Sequence, residues 1–151
     1  MTKLAIQTAR FGTIEVEPAD LVVLSSGLIG FPDLRQFVLI RHSETGPYRW
    51  LQSVDDGNFA FLVVDPAEIV QNYGPQMPHW VASTLNLGRD TARLVYTVVT
   101  IPRGRPQEMT VNLAGPIVVN AETGQSVQIV LDDEAYPIRQ RVFPEACEEA
   151  A

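Results

Sequence analysis

Apolar and polar residues alternate along most of this chain, which is the pattern of β-strands with one buried face. The alternation is clearest within residues 109–131, where apolar residues recur at every second position: Ile117, Val119, Val127, Ile129 and Leu131. Gly124 near the end of the connecting segment favours a hairpin, because glycine adopts positive φ without steric cost. The pattern therefore predicts a hairpin of two half-buried strands.

Similar runs recur along the chain at spacings of about ten residues, separated by turn signals. They predict strands over 4–9, 13–17, 21–24, 36–41, 48–54, 59–64, 92–101 and 110–113. The run at 59–64 is apolar throughout, which indicates a central strand buried on both faces. Residues 136–143 fit either a strand or one helical turn. Many short strands at this spacing are typical of a β-barrel or a β-sandwich.

Residues 67–91 lack the strand pattern. Pro78 suits the first position of a helix, Val81 and Leu85 are four residues apart, and Gly88 is a C-terminal signal. These features predict a short helix over about residues 78–87.

Two turn segments stand out. Residues 25–34 contain two glycines and a proline, which predicts a shaped loop. Leu28, Ile29 and Phe31 in this loop either tuck into the core or form an exposed apolar contact surface. Residues 55–58, with the sequence DDGN, predict a compact turn, because Asp, Gly and Asn tolerate left-handed backbone.

Composition limits the possible functions. The chain has 151 residues with 46% hydrophobic and 19% charged, which suffices for a folded domain with a core. The net charge of −7 disfavours direct binding of nucleic acid, because phosphates are repelled, and it favours basic partners.

No combination of residues indicates catalysis or a cofactor. His42 and His79 lack the spacing of metal ligands, and the lone Cys147 excludes an intramolecular disulfide. The acidic pairs at 55–56 and 132–133 are better explained by turns than by acid–base chemistry. We therefore predict a protein that is not an enzyme and holds no metal or cofactor.

The chain also shows no targeting signal. Its first apolar stretch follows acidic residues, and no apolar run reaches the length of a membrane helix. We predict a cytoplasmic protein with a domain over 1–143 and a disordered acidic tail over 144–151.

Several motifs, in order, resemble those of the bacterial flagellar assembly factor family FliW. They are GLIGF at 27–31, LQSVDD at 51–56, FAFLVVDP at 59–66, VTIP at 99–102, TVNLAGPIVVN at 110–120 and QIVL at 128–131. The resemblance covers about residues 14–141 and stops before the acidic tail. It implies an antiparallel, mainly β, barrel-like single domain with one short helix and without catalytic activity.

The resemblance also implies two protein partners. One is flagellin before its export, and the other is CsrA, the carbon storage regulator, a small basic protein that represses flagellin translation. Flagellin occupies the factor until it is exported, and the factor then binds CsrA and relieves repression. We expect the free factor to be a monomer.

We predict that CsrA docks on a surface built from the loop at 27–33 and the turn at 55–56. Phe31 and Pro32 offer a rigid apolar anchor, with Asp33 beside them. Asp55 and Asp56 offer carboxylates that favour a basic partner.

Two other hypotheses remain open. A closed barrel can enclose a small-molecule site, which Tyr48, Trp50 and Trp80 would line. A deep pocket with several carboxylates, or with both histidines, would support this hypothesis, whereas a filled interior would remove it. The other hypothesis is that the protein is a structural subunit of an unknown assembly.

Overall fold

The computed structural model describes residues 3–43 and 46–143. This part of the chain forms eleven strands and one α-helix. The helix is α1 (His79–Leu85), and the strands are β1 (Leu4–Thr8), β2 (Gly12–Val16), β3 (Leu21–Leu24), β4 (Gln36–Arg41), β5 (Tyr48–Ser53), β6 (Ala60–Val64), β7 (Arg93–Thr100), β8 (Thr110–Val111), β9 (Ile117–Asn120), β10 (Gln125–Gln128) and β11 (Gln140–Arg141).

Seven strands close into a barrel, in the order β3-β4-β5-β6-β7-β9-β10 and back to β3. Strands β8 and β11 extend the sheet beyond β7, and β1 pairs with β2 in a separate hairpin. The predicted mainly β, barrel-like fold is confirmed. One pair, β10 with β3, is parallel rather than antiparallel. A ring with an odd number of strands cannot reverse direction at every step, so closure requires a parallel neighbour.

The hairpin predicted within residues 109–131 is present. Strand β9 pairs with β10 in antiparallel register, and Gly124 in the connecting turn has φ +82°. The prediction of half-buried strands is wrong for β9, whose four residues are all buried. Ile117 and Val119 face the barrel interior, whereas Val118 packs under α1. Both faces are covered because the helix lies across the outside of this hairpin.

The predicted helix is confirmed with shorter bounds. It begins one residue later, with Pro78 as the N-cap rather than the first helical residue, and it ends two residues earlier. Val81 and Leu85 are its buried residues and pack with Val118. The helix ends because Asn86 adopts a left-handed conformation with φ 55°. The side-chain amide of Asn120 on β9 donates to the Leu85 carbonyl at 2.7 Å, which ties the helix end to the barrel.

The strand predicted at 59–64 is buried as expected only in its second half. Leu62, Val63 and Val64 are buried, but Phe59 precedes the strand and is 37% exposed. In the described residues, β6 pairs with β7 only through Val63 and Val64. The first half of β6 therefore lies at the barrel rim.

The barrel interior is filled with side chains. Its fully buried members are Leu24, Phe37, Val63 and Ile117. A second cluster covers the outer face of β6 and β7, where Leu62, Val64 and Val99 pack under residues 69–73, 109–113 and 136–142.

The C-terminal predictions have mixed outcomes. Residues 136–143 contain the two-residue strand β11, so the strand alternative is correct over a shorter length. The tail predicted over 144–151, with Cys147, lies outside the described residues, and the domain bounds stay a prediction. Within the described ranges, no helix has the length and apolarity needed to cross a membrane.

Candidate partner-binding surface

The loop at 25–34 is held in one conformation by its own backbone. Gly27 has φ +77°, and a Cβ at this position would overlap the backbone carbonyl of Pro32. The amide of Phe31 donates to the Leu28 carbonyl at 2.7 Å, and the amide of Leu28 donates back at 3.2 Å. The loop is therefore preformed rather than ordered by a partner.

The apolar residues of the loop divide between core and surface. Leu28 is 3% exposed and belongs to the barrel interior, whereas Ile29 is 53% exposed. Phe31 is 36% exposed, and its ring packs on Phe59 at 5.4 Å and Phe61 at 5.1 Å between centroids. Both alternatives considered for this loop are therefore realised, at different residues.

A shallow depression of about 280 Å³ opens beside Phe31. We call it the aromatic depression, and its lining is Gly30, Phe31, Pro32, Asp33, Leu34, Asp56 and Phe59. The fold thus brings together Phe31, Pro32, Asp33 and Asp56 of the predicted docking residues. Asp55 is the only predicted docking residue that does not line the depression.

Asp55 makes hydrogen bonds within the fold. Its carboxylate oxygen accepts the backbone amides of Arg35 at 2.7 Å and Gln36 at 2.8 Å. This contact holds the start of β4 against the turn at 55–58. One oxygen of the Asp55 carboxylate is therefore already engaged within the protein, although the side chain is near the surface.

The carboxylates of the depression are less engaged. Asp56 uses one oxygen to accept the amide of Asn58 at 3.0 Å. Asp33 is exposed and makes no hydrogen bond or ion pair with any residue that the structure describes. Negative charge beside exposed aromatic surface suits a basic partner.

The sequence pattern does not indicate Phe59 and Phe61 as surface residues, because an apolar run over 59–64 predicts a strand buried on both faces. Both rings pack on Phe31 and contribute to the apolar surface. Their proximity to the turn at 55–58 was the available signal, since strand ends next to turns lie near the surface.

The aromatic residues proposed for a small-molecule cavity lie apart, because Tyr48 and Trp50 pack on the cluster of Leu62 and Val64 outside the barrel interior. Trp50 is covered by the Arg10 guanidinium, which lies 4.1 Å from the ring centroid. Trp80 is 49% exposed on α1. Buried apolar side chains occupy the barrel interior, which counts against an enclosed ligand cavity there. Across residues 3–43 and 46–143, no three His, Cys, Asp or Glu side chains are placed to share a metal ion.

Known proteins resemble this chain over nearly its whole length. The family model described as "FliW protein" matches residues 5–142. A flagellar assembly factor FliW of Magnetococcus marinus is 39% identical over 143 residues, which cover 95% of this chain and 87% of that protein. One of Leptospira biflexa is 33% identical over 140 residues, covering 93% and 92%.

The fold agrees with this match. A crystal structure of the flagellar assembly factor FliW superimposes with a TM-score of 0.84 at 28% identity, covering 94% of this chain and 99% of that one. The resemblance drawn from the motifs is confirmed, and the chain belongs to the FliW family of flagellar assembly factors.

Proposed function

We propose that this flagellar assembly factor is a non-enzymatic cytoplasmic protein that binds flagellin and the translational repressor CsrA. The observation behind the proposal is the aromatic depression, a preformed apolar surface beside an unengaged carboxylate, in a member of the FliW family. Bound to CsrA, the protein relieves repression of flagellin translation. Flagellin awaiting export occupies the factor and keeps it from CsrA.

The depression has the physical properties of a docking site for CsrA. Phe31 and Phe59 are each more than a third exposed, so a partner would bury aromatic surface. The loop is fixed by Gly27 and by its backbone hydrogen bonds, so binding costs little ordering entropy. Asp33 and Asp56 orient a basic partner, and the net charge of −7 accelerates its approach.

The hydrogen bonds of Asp55 and Asp56 argue against a catalytic role for them. Asp55 accepts backbone amides at the start of β4, and Asp56 accepts one within the turn at 55–58, as structural aspartates do. We therefore assign Asp55 to holding the turn against β4, and Asp56 to shaping the turn and facing the partner at the depression.

The test is binding of the purified protein to purified CsrA and to purified flagellin. We expect a complex with CsrA that co-elutes in gel filtration and releases flagellin leader RNA. Added flagellin should reduce the amount of that complex. Absence of a CsrA complex at concentrations of about tens of micromolar in low salt would refute the proposal.

A charge-reversal variant tests whether CsrA docks at the aromatic depression. Asp33→Lys should slow association with CsrA by about tenfold and weaken its dependence on salt, because a steering charge is reversed. The matched control is Glu122→Lys, which makes the same charge change in the exposed turn between β9 and β10. Equal slowing by both variants would place CsrA elsewhere on the protein.

A further inference from the structure

A second exposed surface lies on the other side of the loop at 25–34. It is a groove of about 440 Å³, which we call the edge groove. Its apolar members include Ile29, Val130 and Ile138, which are 53%, 73% and 65% exposed. Three aliphatic side chains this exposed in one groove are unusual, because most large aliphatic side chains are buried.

Hydrogen bonds and a ring contact brace the groove. The Gln128 side chain accepts the amide of Ile29 at 2.8 Å and donates to the Gly115 carbonyl at 2.9 Å, which joins the loop to the opposite wall. On that wall, the Tyr136 ring packs on Tyr73 with centroids 4.8 Å apart. The groove is therefore preformed, which lowers the entropy cost of filling it.

The backbone along the groove is open. The amides of Ile129 and Leu131 donate to the carbonyls of Pro116 and Ala114 at 3.0 and 2.7 Å. Val130 lies between them, so its N–H and C=O point to the opposite side, which is the side of β3. Strand β3 ends at Leu24 and pairs only with Gln125 and Ser126 of β10. Neither group makes a hydrogen bond with any described residue. An unpaired N–H and C=O at one residue can pair with the backbone of an extended peptide.

One end of the groove is acidic. Asp132, Asp133 and Glu134 belong to its lining and are exposed. Asp133 accepts the amide of Ala135 at 2.9 Å, but Asp132 and Glu134 have no hydrogen-bond or ion-pair partner among the described residues. The charge complementary to this end is lysine or arginine.

From these observations we propose that the edge groove binds an extended segment of a partner protein, with aliphatic side chains flanked by lysine or arginine. The aliphatic side chains cover Ile29, Val130 and Ile138, the backbone pairs with Val130, and the basic residues reach Asp132 and Glu134. A second copy of this chain fits poorly, because the groove lining has three acidic residues and no lysine or arginine, so the same surface of another copy offers no opposite charge. The inference goes beyond the proposed function, since it concerns a separate surface.

The experiment uses the full chain and a synthetic peptide, without flagellin or CsrA, so its outcome is independent of the proposed function. The peptide has valine or isoleucine at alternate positions, threonine between them and lysine at both ends. We expect saturable binding by fluorescence anisotropy, at least about tenfold tighter than for the same peptide with terminal glutamates. Equal binding of the two peptides, or none at millimolar concentration, would overturn the proposal.

Two variants test the site. Ile138→Asp should weaken peptide binding by about tenfold, because it places a charge among the aliphatic contacts. The control Ile101→Asp adds the same charge at a residue that is 44% exposed and outside the groove lining.

Asp132→Lys with Glu134→Lys should abolish the preference for terminal lysines, whereas Glu15→Lys with Glu122→Lys should keep it. Equal effects of variant and control would overturn the site.

Two further measurements test the form of the occupant. Hydrogen exchange of the Val130 amide should slow in the saturated complex, and an unchanged rate would overturn the extended form. Concentration-dependent dimerisation of the protein alone that Ile138→Asp abolishes would overturn the peptide occupant in favour of a second copy.

Discussion

The two sides of the loop at 25–34 expose apolar residues in different ways. On the side of the aromatic depression, Phe31 faces solvent with about a third of its surface and packs on two other rings. On the side of the edge groove, Ile29 is more exposed, and the contact that holds it is a backbone hydrogen bond to Gln128. A substitution at Phe31 therefore changes the fold and the surface together, whereas one at Ile29 changes the surface alone.

Each surface has engaged and unengaged carboxylates. Near the depression Asp55 accepts two backbone amides and Asp56 accepts one, and in the groove Asp133 accepts one. Asp33 in the depression, and Asp132 and Glu134 in the groove, have no described partner. Buried or shared hydrogen bonds tie a residue to stability, while unpaired surface charges mainly affect association. Substitutions at the unpaired carboxylates should therefore change partner binding without changing stability.

The largest effect should come from Gly27→Ala. The new Cβ would overlap the Pro32 backbone, and the φ of +77° would be strained, so we expect a loss of about 3 kcal/mol in unfolding free energy. Gly30→Ala is the matched control, since its φ is +91° but no atom lies within 4 Å of the added Cβ. It should cost only about 1 kcal/mol. Urea denaturation measures both, and equal losses would mean that the loop adjusts freely around Gly27.

Phe31→Ala should come next. Removing a ring that packs on two others should lower the unfolding free energy by about 2–3 kcal/mol, less than for a fully buried phenylalanine. Ile29→Ala should lower it by about 0.5 kcal/mol or less, because the side chain is mostly in water. Thermal and urea unfolding of the pair test the contrast between the two sides of the loop. A similar cost for both would contradict it.

A smaller effect is expected for Asp55→Ala. The change leaves the amides of Arg35 and Gln36 without their acceptor, which should cost about 1–2 kcal/mol. Asp33→Ala removes a carboxylate with no described partner and should cost less than about 0.5 kcal/mol. If Asp33→Ala destabilised the protein as much as Asp55→Ala, the division between structural and surface carboxylates would be wrong.

The smallest effect concerns the wall of the edge groove. The Tyr73 hydroxyl donates to the Leu113 carbonyl at 2.8 Å, so Tyr73→Phe should cost about 1 kcal/mol at neutral pH. Burial, and then the neighbouring Tyr136, raise the pKa of Tyr73 above its ordinary value of 10.0. The folded state therefore resists ionisation of this hydroxyl, and the stability it contributes is present below pH 10 and decreases as the pH rises above that value.

Alkaline titration tests this assignment. The wild type should lose stability as the pH rises above about 10, and Tyr73→Phe should lose less over the same range. Tyr96→Phe provides the comparison at a second tyrosine. Burial also raises the pKa of Tyr96, which packs against the barrel interior rather than beside the groove. Parallel curves for the wild type and Tyr73→Phe would show that Tyr73 does not govern the alkaline loss.

The sequence alone predicted most elements, because they depend on neighbours along the chain. The period-two alternation located the hairpin of β9 and β10, and Gly124 marked its turn. The four-residue spacing of Val81 and Leu85 located the helix. The ordered motifs identified the family, and the glycines at 27 and 30 indicated the shaped loop.

The tertiary structure decided what covers each element and which distant residues meet. Alternation shows that a strand has two faces, but only the position of α1 explains why Val118 is as buried as Ile117. Ile29 and Gln128 are 99 positions apart in the chain, so their hydrogen bond, and the groove it braces, have no local signal. The sequence of the turn does not indicate that Asp55 accepts a backbone amide of β4, because that contact forms only in the folded barrel. Contacts of this kind depend on barrel closure, which adjacent residues do not encode.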